Sequence, residues 1–113
     1  MSYLNKVMLI GNVGKDPDVR TINGEKVANF SLATTYRNGD KDNTEWHNIV
    51  IWGKKAEVVE KYVHKGSSLY IEGSLRTRSW EDQQGVTRYT TEVVGYTLQL
   101  LGGRPQADDD LPE

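Results

Sequence analysis

The chain has 113 residues, with 14 basic and 16 acidic side chains and no cysteine. That is enough for one domain with its own core and too little for two, and disulfides, thiolate metal sites and thiol nucleophiles are excluded. The formal net charge of -2 argues against a strongly basic surface, yet Asp108, Asp109, Asp110 and Glu113 lie in the last six residues and leave 12 acidic against 14 basic side chains over 1–107.

In chain order, Leu4 to Val13 is apolar on both faces from Val7 to Ile10. This predicts a strand covered on both sides, with a second subunit as one candidate for the outer cover. Gly11 is placed to let that strand bend or bulge, as barrel corners require. Gly14 to Asp18 has turn chemistry, and Gly14-Lys15 lacks both the spacing and the following helix of a phosphate loop. Val19 to Ile22 resumes an extended segment, Asn23-Gly24 is a hairpin turn, and Lys26 to Tyr36 is a second strand with Ala28, Phe30 and Leu32 on one face. Asn38-Gly39 predicts another hairpin with Tyr36 and Arg37 on its rim. Tyr36 reads either as a groove aromatic or as ordinary β-propensity.

The third strand carries two indoles. Alternation puts Trp46, Asn48, Val50 and Trp52 on one side and His47, Ile49 and Ile51 on the other, and the apolar odd side is the expected core face. Lys54 to Lys65 then has helical spacing in Ala56, Val59, Tyr62 and Val63, with Gly66 as its terminator. In the fourth strand, Leu69, Ile71, Gly73 and Leu75 point one way, and Tyr70, Glu72, Ser74, Arg76, Arg78 and Trp80 point the other. Cations that hold phosphates and flat rings that stack on bases are the composition a single-stranded nucleic acid requires. Glu81 to Gly85 forms a hairpin tip, and Val86 to Leu101 returns as a long strand with Arg88 and Tyr89 opposite the Arg76–Trp80 arm. From Gly102 onward periodicity is lost.

This order predicts an all-β chain: a five-stranded OB-fold Greek-key barrel over 1–101, with one helix between strands 3 and 4, and a disordered acidic tail over 102–113. One tryptophan alone is as readily a core residue, but three beside Arg and Lys on an outward face favour a binding role. His47 has no catalytic partner and reads as structural or interfacial. No catalytic, metal or cofactor constellation is legible, so the expectation is neither an enzyme nor a cofactor carrier. With no run of the ~18 apolar residues needed to span a membrane and no signal-peptide pattern, a cytoplasmic, nucleoid-associated location without a membrane partner is expected.

The residues resemble the bacterial single-stranded DNA-binding proteins over about 3 to 103. The resemblance rests on NKVMLIGNVGKDPDVR (Asn5 to Arg20), VANFSLAT (Val27 to Thr34), TEWHNIVIWGK (Thr44 to Lys54), AEVVEKYVHKGS (Ala56 to Ser67), LYIEGSLRTRSW (Leu69 to Trp80) and RYTTEV (Arg88 to Val93). It implies base stacking on Trp46, Trp52 and Trp80, with Tyr36 near the place of a fourth stacking aromatic. Trp52 stands where many members have Phe. It also implies backbone contacts from Lys54, Lys65, Arg76, Arg78 and Arg88, subunit interfaces at His47 and Tyr70, and a homotetramer serving replication, recombination and repair. Asp108, Asp109, Asp110, Leu111 and Pro112 match the acidic tip that docks replication and repair partners, although Glu113 stands where that tip normally ends in Phe. A scaffold-type OB protein, in which protein contacts dominate, is the competing reading.

Overall fold

The computed structural model describes residues 1–102. Six strands and one helix follow in order: β1 Val7–Val13, β2 Asp18–Ile22, β3 Glu25–Asn38, β4 Lys41–Trp52, α1 Lys54–Tyr62, β5 Ser68–Glu81 and β6 Thr87–Leu101. Their sheet runs β1-β5-β6-β4-β3-β2, and an extra β1–β3 pairing closes five of the strands into a barrel. The sixth is β2, the segment read as merely extended. It pairs with β3 from Asp18↔Asn29 to Ile22↔Glu25, on the edge that β1 uses at Asn12↔Ala33 and Val13↔Leu32. β1 and β2 are thus consecutive stretches along one edge of β3, interrupted by the Gly14–Pro17 turn. The expected five-stranded barrel with a helix between its third and fourth strands is the fold observed.

Two turn signals act as expected. Asn23 and Gly24 have φ of 52° and 82°, the left-handed pair of a two-residue hairpin whose twist matches its strands. Gly11 does more than permit a bend. A Cβ there would lie 2.3 Å from the Ala33 carbonyl oxygen, so the missing side chain is what lets β1 approach β3 and close the barrel.

Alternation sorts the core. Ala28, Phe30 and Leu32 of β3, Ile49 and Ile51 of β4, Leu69 and Ile71 of β5 and Val93 of β6 fill the interior with Val13. α1 covers one end by burying Ala56 and Val59. The helix stops three residues short of the expected Lys65. Val63 turns extended (φ -103°, ψ 128°), donates its N–H to the Val59 carbonyl at 3.0 Å and buries its side chain in the same core. Gly66, expected as the helix terminator, instead sits in the following turn, where its N–H reaches the Val13 carbonyl at 2.8 Å. No helix among the described residues is long and apolar enough to cross a membrane.

Two hairpins run past the barrel. Pairing of β6 with β4 is parallel and confined to Ile49↔Val93 through Ile51↔Gly95, so the β5–β6 ladder from Arg76↔Glu92 to Glu81↔Thr87 projects as an arm. The end of the β3–β4 hairpin projects likewise, with Tyr36↔Asn43 and Arg37↔Asp42 near its tip.

Candidate nucleic-acid interface

The unbroken register between β3 and β4 decides what shares a face with the indoles. Residues directly opposite each other in an antiparallel pair lie on the same side. Val27 faces Trp52, Asn29 faces Val50, Ser31 faces Asn48 and Ala33 faces Trp46. The result is a band with an indole at each end and polar amides and a hydroxyl between them. At about 3.4 Å of rise per residue, the two indoles of β4 stand roughly 20 Å apart along the strand. Both are exposed, Trp46 at 60% and Trp52 at 43%, although each is large enough to have filled a core.

The arm supplies the second wall. On one face it carries Arg76, Arg78 and Trp80 of β5 opposite Glu92, Thr90 and Arg88 of β6. A groove lined by Val27, Asn29, Val50, Trp52, Arg76, Arg78 and Glu92 joins this wall to the β3–β4 band. An adjoining hollow takes in Lys15, Asn29, Ser31, Asn48, Arg78 and Thr90. Trp52, Arg76 and Arg78 are therefore brought together, and Trp80 lies one pleat further along the same side of the arm, 44% exposed.

The groove's side chains are held by specific partners. The Trp80 indole donates its Nε1–H to the Thr90 hydroxyl at 2.9 Å, which fixes the ring on the arm. Arg78 Nε donates to Glu92 Oε2 at 3.2 Å, and Arg88 Nε donates to Asp82 Oδ2 at 2.9 Å. Asp82 Oδ1 also accepts the N–H groups of Gln84 and Val86, at 2.9 and 3.0 Å. Its carboxyl is held below the ordinary range, first by the Val86 N–H and then by Arg88. At the other end, the Trp46 ring lies over the backbone of Gly14, where a Cβ would sit 2.4 Å from the indole Cζ3.

Not every candidate residue reaches this groove. Tyr36 is exposed, but its parity places it on the face of Leu32 and Thr34, opposite to that of Trp46. Lys54 opens α1 just beyond Trp52 and does not line the groove. Lys65 lies in the α1–β5 connection, its backbone N–H bound by the Asp16 carboxylate at 2.8 Å. His47 is half-buried, its Nε2 2.9 Å from the Thr34 hydroxyl. Tyr70 donates to Glu72 on the outer face of β5, and that bond is the main cause holding its hydroxyl pKa above the ordinary value. Asp108, Asp109, Asp110, Leu111 and Pro112 lie outside the described residues.

Conversely, the sequence reading passed over Asn29, Ser31, Lys15, Thr90 and Glu92. The face of Asn29 and Ser31 was accessible to it, because an Asn38-Gly39 turn already puts them on the side of Trp46. The turn falls one residue later, at Gly39-Asp40 with Asn38 opposite Lys41, and that register sets them opposite Val50 and Asn48. Lys15 was not. It reaches the hollow because Gly14 N–H bonds the Ser31 carbonyl at 3.0 Å and folds the turn against β3.

With this geometry in place, the comparisons with known proteins converge on one description. The family model described as "Single-strand binding protein family" matches residues 4–101. Among solved structures, a Plasmodium falciparum SSB in complex with ssDNA is similar at a TM-score of 0.82 and 40% sequence identity, covering 90% of this chain and 98% of that one.

Proposed function

The chain belongs to the single-strand binding protein family, and we propose that it binds single-stranded DNA without regard to sequence, as a coating protein rather than an enzyme. The observation that carries this reading is the exposure of three indoles, with Trp52 in one groove beside Arg76 and Arg78, Trp46 on the same face of β4 and Trp80 on the same face of the arm. Every base offers a π-face, so stacking tolerates any sequence, while cations follow the backbone common to all strands. A duplex hides its base faces and so gains little from the indoles. The likeness to a solved complex with ssDNA supports the same ligand.

Arg76 and Arg78 in the groove are the backbone contacts with most support from the geometry, joined by Lys15 in the adjoining hollow and by Arg88 opposite Trp80 on the arm. Lys54 and Lys65, further along the surface, extend the path for a longer strand. Tyr36 serves a strand only where it wraps around the edge of the β3–β4 hairpin. On β1, Met8 and Ile10 are exposed in the single chain at 61% and 65%, and Ile10 pairs across to Tyr70. This apolar patch supports assembly into a homotetramer through β1 and Tyr70, with His47 as a further contact. Family membership supports a cytoplasmic role on the nucleoid in replication, recombination and repair, with the acidic segment Asp108–Pro112 proposed as the docking element for partner proteins.

Intrinsic tryptophan fluorescence during titration with poly-dT tests the reading. Strong quenching by the single strand and none by duplex is the expected result. Trp46→Ala, Trp52→Ala and Trp80→Ala each weaken binding by about 1–3 kcal/mol, the usual worth of one stacked base. Unchanged affinity in all three variants rejects stacking as the mechanism.

A further inference from the structure

Arg78 in the groove and Arg88 further out on the arm are already engaged before any strand arrives. Arg78 holds Glu92 at 3.2 Å, and the carboxylate is the more deeply set of the two, with a side-chain exposure of 13% against 57% for the guanidinium. Arg88 and Asp82 repeat the arrangement at 2.9 Å, with 14% exposure for the acid and 55% for the base. In both cases the acid lies back in the arm and the base projects from it. Glu92 also faces Arg76 directly across the ladder and lines both parts of the groove. Two of the cations best placed for phosphates are thus neutralised by anions of the same hairpin.

Resting on the single-strand reading above, we propose that Glu92 is an intramolecular competitor for the DNA phosphate at Arg78. Counterion release frees the small cations condensed on the strand, one set for each phosphate that a protein cation neutralises. A guanidinium already paired with a fixed carboxylate neutralises a phosphate less completely and so frees fewer. A phosphate that reaches Arg78 must displace Glu92 or approach its negative charge in a partly water-excluded groove, where such repulsion is poorly screened. Glu92 therefore lowers affinity and salt dependence together and speeds release. A strand-coating protein that has to give way to enzymes acting on the strand benefits from weak points of this kind.

Glu92→Gln tests this, because glutamine keeps the side chain's length and an acceptor oxygen for Arg78 while removing the charge. Poly-dT titrations at several salt concentrations on wild type, Glu92→Gln, Arg78→Ala and the double variant, with melting curves to confirm folding, give the full cycle. The expected result is affinity about three- to tenfold tighter in Glu92→Gln at low salt. The log-log salt slope becomes steeper by about 0.7, the value of one additional phosphate contact. Both gains disappear in the Arg78→Ala background. Weaker or unchanged binding by a folded Glu92→Gln overturns the proposal, the former identifying Glu92 as a residue that only orients Arg78. A gain that persists in full without Arg78 overturns it too, as an effect of net charge alone. If wild type itself fails to bind poly-dT, the single-strand reading falls and takes this proposal with it, an outcome visible before any variant is compared.

Discussion

Gly11 and Gly14, three residues apart, look alike in the sequence, yet they differ in what a methyl group would strike. Gly11 faces the backbone carbonyl of Ala33 at 2.3 Å, which cannot move without opening the β1–β3 closure. Gly14 faces only the outer ring of Trp46, an exposed side chain free to swing, and its φ is not in the left-handed region. Gly11→Ala is therefore expected to cost about 1–3 kcal/mol of stability as an overpacked site. Gly14→Ala leaves stability within about 0.5 kcal/mol of wild type but displaces the indole, weakening poly-dT binding no more than Trp46→Ala does. Thermal melts and fluorescence titrations on the two variants separate these effects. A Gly14→Ala protein with unaltered quenching shows that the ring's resting place on the backbone does not matter for stacking.

The arm is the element whose integrity depends most on one side chain. Asp82 binds the N–H groups of Gln84 and Val86 and the Arg88 guanidinium, so its carboxylate ties the tip of the β5–β6 hairpin to the base of β6. Each of these partners favours the charged form and depresses its folded pKa below the ordinary 3.8. The sign follows by linkage. The stabilisation is fully present above the unfolded value near 3.8 and is lost as pH falls through the lower folded value. Backbone amide resonances of Gln84 and Val86 are expected to titrate together with a midpoint below 3.8, and Asp82→Ala to abolish that titration. A midpoint at or above 3.8 contradicts the bonding described. The arm's tip stays organised at neutral pH, which keeps Arg88 opposite Trp80, the two residues proposed to meet a strand there.

For the whole molecule, the closed barrel separates two surfaces. One side presents indoles, amides and arginines, while β1 on another presents Met8 and Ile10 to solvent in the single chain. Two large apolar side chains exposed side by side on one strand face are candidates for a contact surface. In the proposed tetramer this patch is covered. Ile10→Glu puts a charge into that contact and is expected to lower the mass measured by light scattering at micromolar concentration, while the isolated barrel remains folded. A tetrameric mass retained by Ile10→Glu removes β1 from the interface.

Alternation along a strand is a local property, so the outward tryptophans, the inward Ile49 and Ile51, the arginines of β5 and the Asn23-Gly24 turn were all legible from residue order alone, as was the order of elements that makes the barrel, while the β3–β4 turn falls one residue after the expected Asn38-Gly39. Side-chain parity does not say which strands become neighbours across the barrel. Tertiary structure decided that the arm stands beside the β3–β4 band, that Gly14 lies under Trp46, that Lys15 turns into the groove and that Tyr36 falls on the far face. It also ended the helix at Tyr62, because Val63 gains more from the core than from another helical turn. The pairing of Arg78 with Glu92 joins residues 14 positions apart. Composition records both charges, but only the register of β5 against β6 makes them partners.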